Sequence, residues 1–588
     1  MKLCIAEKPS VAKDLASILG AKARHDGYFE GNGYLVSWTF GHLCTLKEPQ
    51  DYKDHWKYWK IEDLPIIPEN FGIKIKKNQG IQKQFELISK LVAKATEVIN
   101  CGDAGQEGEL IQRWVLLKAK CAVPVKRLWI SSLTEEAIKE GFKKLQDASK
   151  YDNLFAAGNS RAIGDWVLGI NGTRLYTKKF GKNKTTLSVG RVQTPTLAMI
   201  VKRHHEIAQF KVEHFWELKT VYRKTEFSCQ INRLNSKKRA EEGVAYLKDK
   251  LFKIISYEQK EGKEGNPRLY DLTSLQVDSN KKFGYSAEDT LKTVQNLYEK
   301  KLVSYPRVDT TYLSEDLHAK VPGILGNLKS YNSLTEAILA APIKKSKTIF
   351  NNKKITDHHA VIPTGVPAQG LQGSELAIYD LICKRFIAVF YPPCKVSNTT
   401  VIGRVEKLEF KTSGKQIIDP GWRKVYSGND IGKKQEDDKI LPLFKKGEEG
   451  PHEPFFHEGK TSPPKQYTEA TLLRSMETAG KFVEDEDMRE VMKENGIGRP
   501  STRANIIETL FKRNYIERKK KNIQATPLGV HLIGTIQNEL LKSPELTGQW
   551  EYKLRQIEKG TYTPHEFKSE LYKMIRELTD EVVFGRGR

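Results

Sequence analysis

The chain has 588 residues, enough for about four structural units of ordinary domain size. Hydrophobic residues make up 39% of it, which excludes an intrinsically disordered chain. Its 97 Lys and Arg residues against 73 Asp and Glu residues leave a net charge of +24, which favours a polyanionic partner such as nucleic acid.

Neither secretion nor membrane insertion fits the sequence. No uncharged apolar run reaches the ~18 residues needed to cross a bilayer. The first residues carry Glu7, Lys8 and Asp14, where a signal peptide would be apolar. The seven cysteines form no Cys-x-x-Cys pair, which disfavours a zinc ribbon or a disulfide framework. We therefore expect a cytoplasmic protein without zinc.

The N-terminal third predicts a mostly parallel sheet. Lys2–Ala6 and Glu97–Cys101 are short apolar runs that predict buried strands. An acidic turn follows each run, and helical spacing then covers Pro9–Leu19 and Glu109–Lys118. In parallel sheets the chemistry lies beyond the carboxyl ends of the strands, where these acidic turns fall.

The rest of the chain alternates between helical and strand-like patterns. In order, residues 150–205 are helical, 210–261 β-like, 273–300 helical, 396–410 β-like, and the chain is again helical from residue 468. Two β stretches around a helical block predict that one domain is inserted within another.

The segment Leu302–Leu313 holds a candidate nucleophile. Tyr305 precedes a proline, which disfavours helix, and Arg307 lies two residues further on. In an extended chain these side chains project to the same side, so they could converge on one phosphodiester, the tyrosine as nucleophile and the arginine as a clamp on the phosphate. Taken alone, an aromatic strand residue beside a surface arginine is the more common explanation.

A second candidate group is acidic. Glu7 follows the first strand, and Asp103, Glu107 and Glu109 follow the second. Clustered carboxylates suit Mg²⁺, which binds through a few carboxylates plus substrate phosphate. The alternative is helix-start chemistry, because acidic residues are favoured in a first turn. We prefer that alternative for Glu109, whereas the case for Glu7 rests on its pairing with Asp103.

Two further patterns concern nucleotides. Gly459-Lys460-Thr461 is similar to the end of a P-loop, but Pro454 stands where glycine is required, so we expect no use of ATP.

Residues 501–512 predict a helix, and residues 514–526 predict a hairpin with Arg518-Lys-Lys-Lys521 at its tip. This tip would either straddle phosphates or be a solvated turn. Aromatic residues that could stack on bases are Trp38, Trp56, Trp59, Trp166 and Tyr176, although core packing is the commoner fate of tryptophan.

Several sequence blocks together resemble the type IA DNA topoisomerases, most closely bacterial topoisomerase III. In chain order they are Glu7-Lys8-Pro9-Ser10, Asp103–Glu109, Ser188-Val-Gly-Arg191-Val-Gln193-Thr-Pro, Asp271–Gln276, Ser304-Tyr305-Pro-Arg307-Val-Asp309, Asp357-His358-His359-Ala-Val-Ile-Pro-Thr364, Asp419-Pro-Gly-Trp422, Tyr467–Ala470 and Gly496-Ile-Gly-Arg499-Pro-Ser501-Thr-Arg503-Ala504. One block would be weak evidence, but this many in family order is strong.

The resemblance implies a multidomain α/β and α+β fold shaped as a torus. An N-terminal Toprim domain with a Rossmann-like parallel sheet would be joined to a helical base and a β-rich arch. The expected boundaries are 1–148 for the Toprim domain, 149–208 and 462–588 for the base (the second segment winged-helix-like), 209–270 and 396–461 for the arch, and 271–395 for an inserted helical domain that carries Tyr305.

The resemblance also implies a role for each matched residue. Tyr305 would form a 5′-phosphotyrosine and Arg307 would orient the phosphate. Glu7 would protonate the 3′-hydroxyl leaving group, and Lys8 would hold the scissile phosphate. Arg161 and Asp165 lie four apart and could pair on one helix face. The implied metal ligands are Glu7, Asp103 and Glu107, and the implied DNA-binding residues are Arg161, Asp165, Ser188, Arg191, Gln193, His358, Arg499, Ser501 and Arg503.

The acidic loop departs from the family pattern. Gly105 and Gln106 stand where the family has a second aspartate and an arginine. Fewer carboxylates predict weaker Mg²⁺ binding. Rejoining needs a well-placed 3′-hydroxyl, so we expect rejoining to be the step that is slowed.

We therefore predict an ATP-independent, Mg²⁺-dependent enzyme that cuts one DNA strand, passes another and rejoins the first, relaxing negative supercoils and decatenating DNA. Two alternatives are another Toprim enzyme, a primase or nuclease that needs no tyrosine, and a catalytically weakened single-strand nucleic-acid-binding relative. RNA stays open as a substrate. The resemblance implies a nucleoid-associated monomer and leaves room for a helicase partner.

Overall fold

The N-terminal part of the chain contains a mixed sheet, parallel at its centre and antiparallel at both edges, whereas a mostly parallel one was predicted. The computed structural model describes residues 1–130, 133–182, 185–355, 358–426, 439–482 and 496–585. The strands of this part are β1 (Lys2–Ala6), β2 (Ala23–His25), β3 (Tyr28–Gly31), β4 (Tyr34–Trp38), β5 (Cys44–Leu46), β6 (Ile73–Ile75), β7 (Glu97–Cys101), β8 (Val125–Arg127) and β9 (Gln146–Asp147). Strands β5 and β6 pair as a ribbon, and the others form one sheet in the order β2-β3-β4-β1-β7-β8-β9.

The centre of this sheet is parallel, as predicted. Strand β1 pairs in parallel with both β4 and β7, and Ala6 lies opposite Cys101. The two predicted strands have the predicted bounds, so Glu7 and Asp103 leave neighbouring strands at the same edge. The helices here are α1 (Pro9–Leu19), α2 (Gln79–Lys94), α3 (Gln106–Lys118) and α4 (Glu135–Lys143). Helix α3 begins three residues earlier than predicted, because Gly105 is its N-cap.

Two distant chain segments form a second sheet, as the two β-like stretches predicted. The segments contribute β10 (His214–Tyr222), β11 (Thr225–Cys229) and β12 (Phe252–Glu264), then β13 (Cys394–Val405), β14 (Leu408–Asp419), β15 (Glu449–Gly450) and β16 (Glu453–Lys460). Their order is β15-β12-β13-β14-β11-β10-β16, with antiparallel pairing. Helix α7 (Lys237–Leu247) interrupts the first stretch and was not predicted.

A helical region lies between the two segments of that sheet. Its helices are α8 (Leu272–Phe283), α9 (Ala287–Glu299), α10 (Val321–Asn327), α11 (Asn332–Leu339) and α12 (Gly373–Ala388). The helix predicted over 273–300 is thus two helices, because Gly284 ends α8 in a left-handed conformation with φ 77°. Tyr305 lies in the connection after α9, where Val303 makes an isolated bridge to Pro363.

The remaining helices pack as one layer from two parts of the chain. They are α5 (Asp152–Phe180), α6 (Gln193–Ala208), α13 (Glu469–Glu477), α14 (Pro500–Lys512), α15 (Pro527–Thr535), α16 (Glu539–Lys542), α17 (Glu545–Lys559) and α18 (Pro564–Phe584). Helix α5 packs against α17 and α18, around a core that includes Trp550 and Phe567. The domain boundaries given above remain a prediction. Among the described helices, none combines the length and apolarity needed to cross a membrane.

Candidate active site

The carboxylates of Glu7 and Asp103 meet at the carboxyl edge of the parallel sheet. Strands β1 and β7 are neighbours, and the backbone N–H of Asp103 donates to Glu7 Oε2 at 3.3 Å. Glu7 is 9% exposed. Burial and the nearby charge of Asp103 raise its pKa to about 8. Burial also raises the pKa of Asp103. Glu7 therefore keeps its proton at neutral pH.

Arg127 supports the loop that carries Asp103. Its guanidinium is fully buried and donates to the backbone carbonyls of Gly102 at 2.7 Å and Asp103 at 2.8 Å. Its Nε donates to Glu109 Oε2 at 2.9 Å. Glu109 lies in the first turn of α3, as preferred above, and it is also the buried counter-ion of Arg127.

Tyr305 lies against this acidic pair. Its side chain is 8% exposed and packs between Tyr298 and His358, with ring centroids 5.4 Å and 4.5 Å away. It lines the same narrow cleft as Asp103, so the phenol and the carboxylate interact. Burial, and then the charge of Asp103, raise the pKa of Tyr305 well above its usual value. The phenol is therefore protonated in the resting site.

His358 ties the Tyr305 region to the acidic loop. Burial lowers its pKa to about 4, so the ring is neutral, and its Nε2 hydrogen-bonds the carbonyl of Ala104. Among the described residues its Nδ1 has no partner. Asp357, the first residue of this motif, lies outside the described residues.

Two openings lead to these groups. A narrow cleft of about 80 Å³ is lined by Glu7, Asp103, Gln106, Tyr305, Arg307, His358 and Arg499 among others. A wider one of about 640 Å³ reaches Glu7 and Arg307 from the side of Lys8, Phe40 and His42. Arg307 is exposed and borders both openings, so it can contact a phosphate that enters. Lys8 is not free, because its Nζ pairs with Glu299 Oε1 at 2.7 Å.

The structure brings together two of the three expected metal ligands. Glu107 is 65% exposed in its side chain and hydrogen-bonds His42 at 2.5 Å, which lowers the pKa of Glu107. Within the described ranges, no three His, Cys, Asp or Glu residues cluster closely enough to hold a metal. Mg²⁺ needs only one or two carboxylates besides water and phosphate. Asp103, and Glu7 once it has lost its proton, therefore fit Mg²⁺, while Glu107 lines the same narrow cleft with its carboxylate held by His42.

The prediction that Arg161 and Asp165 form an ion pair is wrong. Arg161 donates from Nη1 and Nη2 to the two carboxylate oxygens of Glu551, at 2.5 and 2.7 Å. Asp165 accepts from Nε of Arg191 at 3.0 Å, and Arg191 also donates to Glu551 at 3.1 Å. A guanidinium that donates to both oxygens of a carboxylate forms a stronger pair than one that donates to a single oxygen, so Glu551 of α17 is favoured over Asp165 on the same helix. Arg161, Asp165 and Arg191 are nevertheless brought together, as expected.

The other expected DNA-binding residues divide into two groups. Ser188 and Gln193 hydrogen-bond each other at 3.1 Å and line a cavity of about 710 Å³, together with Trp59, Trp166 and Arg513. Arg503, by contrast, is 1% exposed and donates to the Gly498 carbonyl and to Thr273, so it does not face solvent in this conformation. Arg499 lines the narrow cleft. The side chain of Ser501 lies outside the described residues.

The basic hairpin has its predicted position. Strands β17 (Ile516–Lys519) and β18 (Asn522–Ala525) leave Lys520 and Lys521 at the tip. Arg518 turns back instead to Glu469 and Glu508, at 2.7 and 2.6 Å. Two of the predicted stacking residues, Trp56 and Tyr176, are buried in the core.

Sequence reasoning missed three residues that organise the site: His42, Glu299 and Glu551. Each is the partner of a predicted residue, at separations of 65, 291 and 390 positions. Because no local periodicity links residues so far apart, no signal in one sequence indicated them.

A buried tyrosine that faces paired carboxylates at the edge of a parallel sheet fits the class of enzymes that act through a covalent tyrosine intermediate, and the net charge of +24 favours a nucleic-acid substrate. A sequence model of the Toprim domain matches residues 2–133, and one described as DNA topoisomerase matches residues 149–569. The chain belongs to the type IA DNA topoisomerase family. It is accordingly an isomerase that cleaves single DNA strands transiently and relaxes DNA, and the alternative of a primase or nuclease is not favoured.

Named relatives agree with this family. The chain is 39% identical to DNA topoisomerase 3 of Bacillus cereus and 38% identical to that of Bacillus subtilis, in each case over 98% of this chain and 81% of the relative. The full-length topoisomerase I of Thermotoga maritima shares the fold, with a TM-score of 0.74 at 23% identity over 98% of this chain and 90% of that one. The predicted fold class and family are thus confirmed. The family generally uses Mg²⁺, needs no ATP and acts on single-stranded DNA.

Proposed function

We propose that Tyr305 cleaves one DNA strand as a 5′-phosphotyrosine and that the same site rejoins it after strand passage, so that the enzyme relaxes negative supercoils and decatenates DNA. One observation carries this proposal: Tyr305 lines one narrow cleft with Glu7, Asp103 and Arg307, and the backbone N–H of Asp103 donates to the Glu7 carboxylate. A nucleophile, a proton acceptor and a proton donor therefore share one cleft.

Each group has a defined part in the exchange of bonds. Tyr305 Oη attacks the phosphorus and its proton passes to the Asp103 carboxylate, while the bond from phosphorus to the 3′-oxygen breaks. Glu7, protonated below a pH of about 8, gives that oxygen its proton. Arg307 balances charge on the phosphate oxygens. Rejoining reverses every transfer, and because the bond energy is kept in the phosphotyrosine, no ATP is needed.

A metal ion has a place beside these groups. Asp103, joined by Glu7 after Glu7 has given up its proton, would hold Mg²⁺, which when bound supplies positive charge next to the phosphate. Glu107 would join this set only after leaving His42.

The path of the strand follows from the positive and aromatic side chains. Arg161 contacts Gln106 at the start of α3, and Arg191 contacts Asp165, which lines the 710 Å³ cavity. Trp59 and Trp166 of that cavity offer faces to bases. All of these groups come from one chain, which supports a monomer as the active form. A DNA substrate also supports the expected association with the nucleoid.

A trapping experiment tests the proposal. An oligonucleotide labelled at its 3′ end is incubated with enzyme and Mg²⁺, and denaturant is added. A 5′-phosphotyrosine retains the 3′ portion of the strand, so the protein should carry the label, and Tyr305→Phe should not. Tyr298→Phe, which removes only the hydroxyl of the neighbouring buried ring, is the matched control and should still form the adduct. Label transfer from a 5′-labelled strand, or an adduct in Tyr305→Phe, would refute the proposal. An RNA oligonucleotide in parallel tests the alternative substrate.

A further inference from the structure

Three residues on one face of helix α17 contact Arg191. Thr547, Trp550 and Glu551 are spaced three and four apart and so lie on the same side. The Thr547 hydroxyl donates to the carbonyl of Arg191 at 3.1 Å, and the guanidinium of Arg191 lies 5.2 Å from the centre of the Trp550 ring. Glu551 accepts from the same guanidinium at 3.1 Å. This face therefore fixes both the backbone and the side chain of Arg191.

Glu551 joins that arginine to a second one. Both its oxygens accept hydrogen bonds from Arg161, whose Nε donates to Gln106 Oε1 at 3.0 Å in the first turn of α3. The carboxylate is 4% exposed, and the two arginines hold its pKa well below the usual value. An ionised, buried Glu551 thus connects the arginines of the strand path to the acidic loop.

The helices that carry these groups are in close contact. A Cβ at Gly164 of α5 would lie only 2.7 Å from the ring of Trp550, so α5 and α17 approach tightly beside Glu551. Arg161 and Arg191 are like charges, and Arg191 disfavours the charged form of Arg161. Asp165 neutralises Arg191 from one side, but Glu551 is the carboxylate that contacts both arginines, so without it nothing would bridge them and fix their spacing.

We propose that Glu551 is a positioning residue that sets the distance between Arg161 and Arg191, so that both meet the phosphates beside the scissile bond. The inference rests on the proposed function. Removing the charge of Glu551 leaves both arginines cationic, so affinity for single strands should be kept or increased. Misplaced phosphate contacts, however, slow the chemical step, by about 10- to 100-fold for displacements near 1 Å.

The experiment compares Glu551→Gln with Glu558→Gln, which changes an exposed glutamate on the same helix. Active sites are first counted by the covalent adduct, and the single-turnover cleavage rate per active site is then measured on a defined oligonucleotide. Affinity is measured by fluorescence anisotropy. For Glu551→Gln we expect a rate at least about tenfold lower, cleavage spread over neighbouring positions and no loss of affinity. Glu558→Gln should match the wild type.

Two results would overturn the inference: an unchanged rate per active site with an unchanged cleavage pattern, or an affinity that falls as much as the rate. A purely structural role would lower the count of active sites but not the rate of each. If Glu551→Gln does not fold, Glu551→Asp carries the same test, because its shorter carboxylate keeps the charge but cannot span both arginines.

A double variant tests whether Glu551 acts through Arg161. In an Arg161→Gln background, Glu551→Gln should change the rate by less than about twofold, because the partner is already lost. If the double variant lowers the rate by the product of the two single effects, the inference is contradicted. A wild-type enzyme without any adduct would instead refute the proposed function, so the two failures are distinguishable.

Discussion

Lys8 and Glu299 form an ion pair, with 2.7 Å between Nζ and Oε1, that joins the N-terminal sheet region to the helical region preceding Tyr305. A second pair of reversed polarity, between Asp14 and Lys301, joins the same two parts of the chain at 2.8 Å. Each part thus contributes one cation and one anion. In this closed conformation the lysine expected to hold the scissile phosphate is held by a carboxylate.

Glu299→Gln should therefore tighten binding of single-stranded DNA, because phosphate would no longer compete with a carboxylate for Lys8. A partly exposed ion pair contributes about 1 kcal/mol or less, so we expect up to about a fivefold lower Kd. Anisotropy titrations without Mg²⁺ at two salt concentrations measure it. Asp14→Asn removes the same charge from the same boundary but leaves Lys8 paired. Equal tightening in both variants would mean that total charge, and not Lys8, is responsible.

The sequence patterns alone were sufficient for the parallel centre of the sheet and for the pairing of Glu7 with Asp103. Apolar runs gave the bounds of β1 and β7, and the geometry of parallel sheets then placed Glu7 beside Asp103. The position of Tyr305 beside them came from the family resemblance, because its own pattern was ambiguous.

Ion pairs were the part that could not be predicted. The spacing of Arg161 and Asp165 favoured a contact on one helix, but Glu551 lies 390 positions from Arg161 and competes with two oxygens. Glu109 likewise follows the first-turn rule in sequence, yet folding buries it against Arg127. Local rules describe what a side chain can reach on its own helix, whereas packing decides which distant charge arrives.

The glycine in the acidic loop provides a second prediction. Gly105 has φ 154° and ψ 168°, a backbone conformation that residues other than glycine rarely adopt. Gly105→Asp should therefore cost about 1–3 kcal/mol of stability. It should also lower the Mg²⁺ concentration needed for half-maximal rejoining, because a carboxylate is added beside Asp103.

The rejoining rate of the trapped complex across a Mg²⁺ titration, together with Tm, checks both effects. Gly105→Asn is the matched control, since it carries the same backbone strain without the charge. If the two variants need equal Mg²⁺, the added carboxylate does not take part in metal binding.

A third prediction concerns pH. The pKa of His358 is about 4 in the folded protein against an ordinary value of 6.5, so between these values the unfolded chain binds a proton that the folded chain does not. The contribution of His358 to stability is therefore fully present above pH 6.5 and is lost as the pH decreases toward 4, by up to about 3 kcal/mol. Burial also lowers the pKa of neighbouring His359, so protonation of His359 lowers the stability further as the pH decreases.

Urea unfolding at pH 7 and pH 4.5 measures this loss. His358→Gln should lose less stability between the two than the wild type does, and His565→Gln, at an exposed position of α18, should lose as much. An imidazole signal of His358 that titrates near 6.5 in the folded protein would contradict the prediction.

The tip of the hairpin offers the last prediction. Lys520 and Lys521 project between β17 and β18, whereas Arg518 is held by Glu469 and Glu508. If the two lysines contact phosphates, their replacement by alanine should weaken binding equally on unrelated sequences. It should also reduce the slope of log affinity against log salt by about 1.4, since each phosphate contact on a single strand contributes about 0.7. Arg518→Ala should leave that slope nearly unchanged, because its charge is already neutralised within the protein. A slope that changes for Arg518→Ala and not for the lysines would place the DNA on the other face of the hairpin.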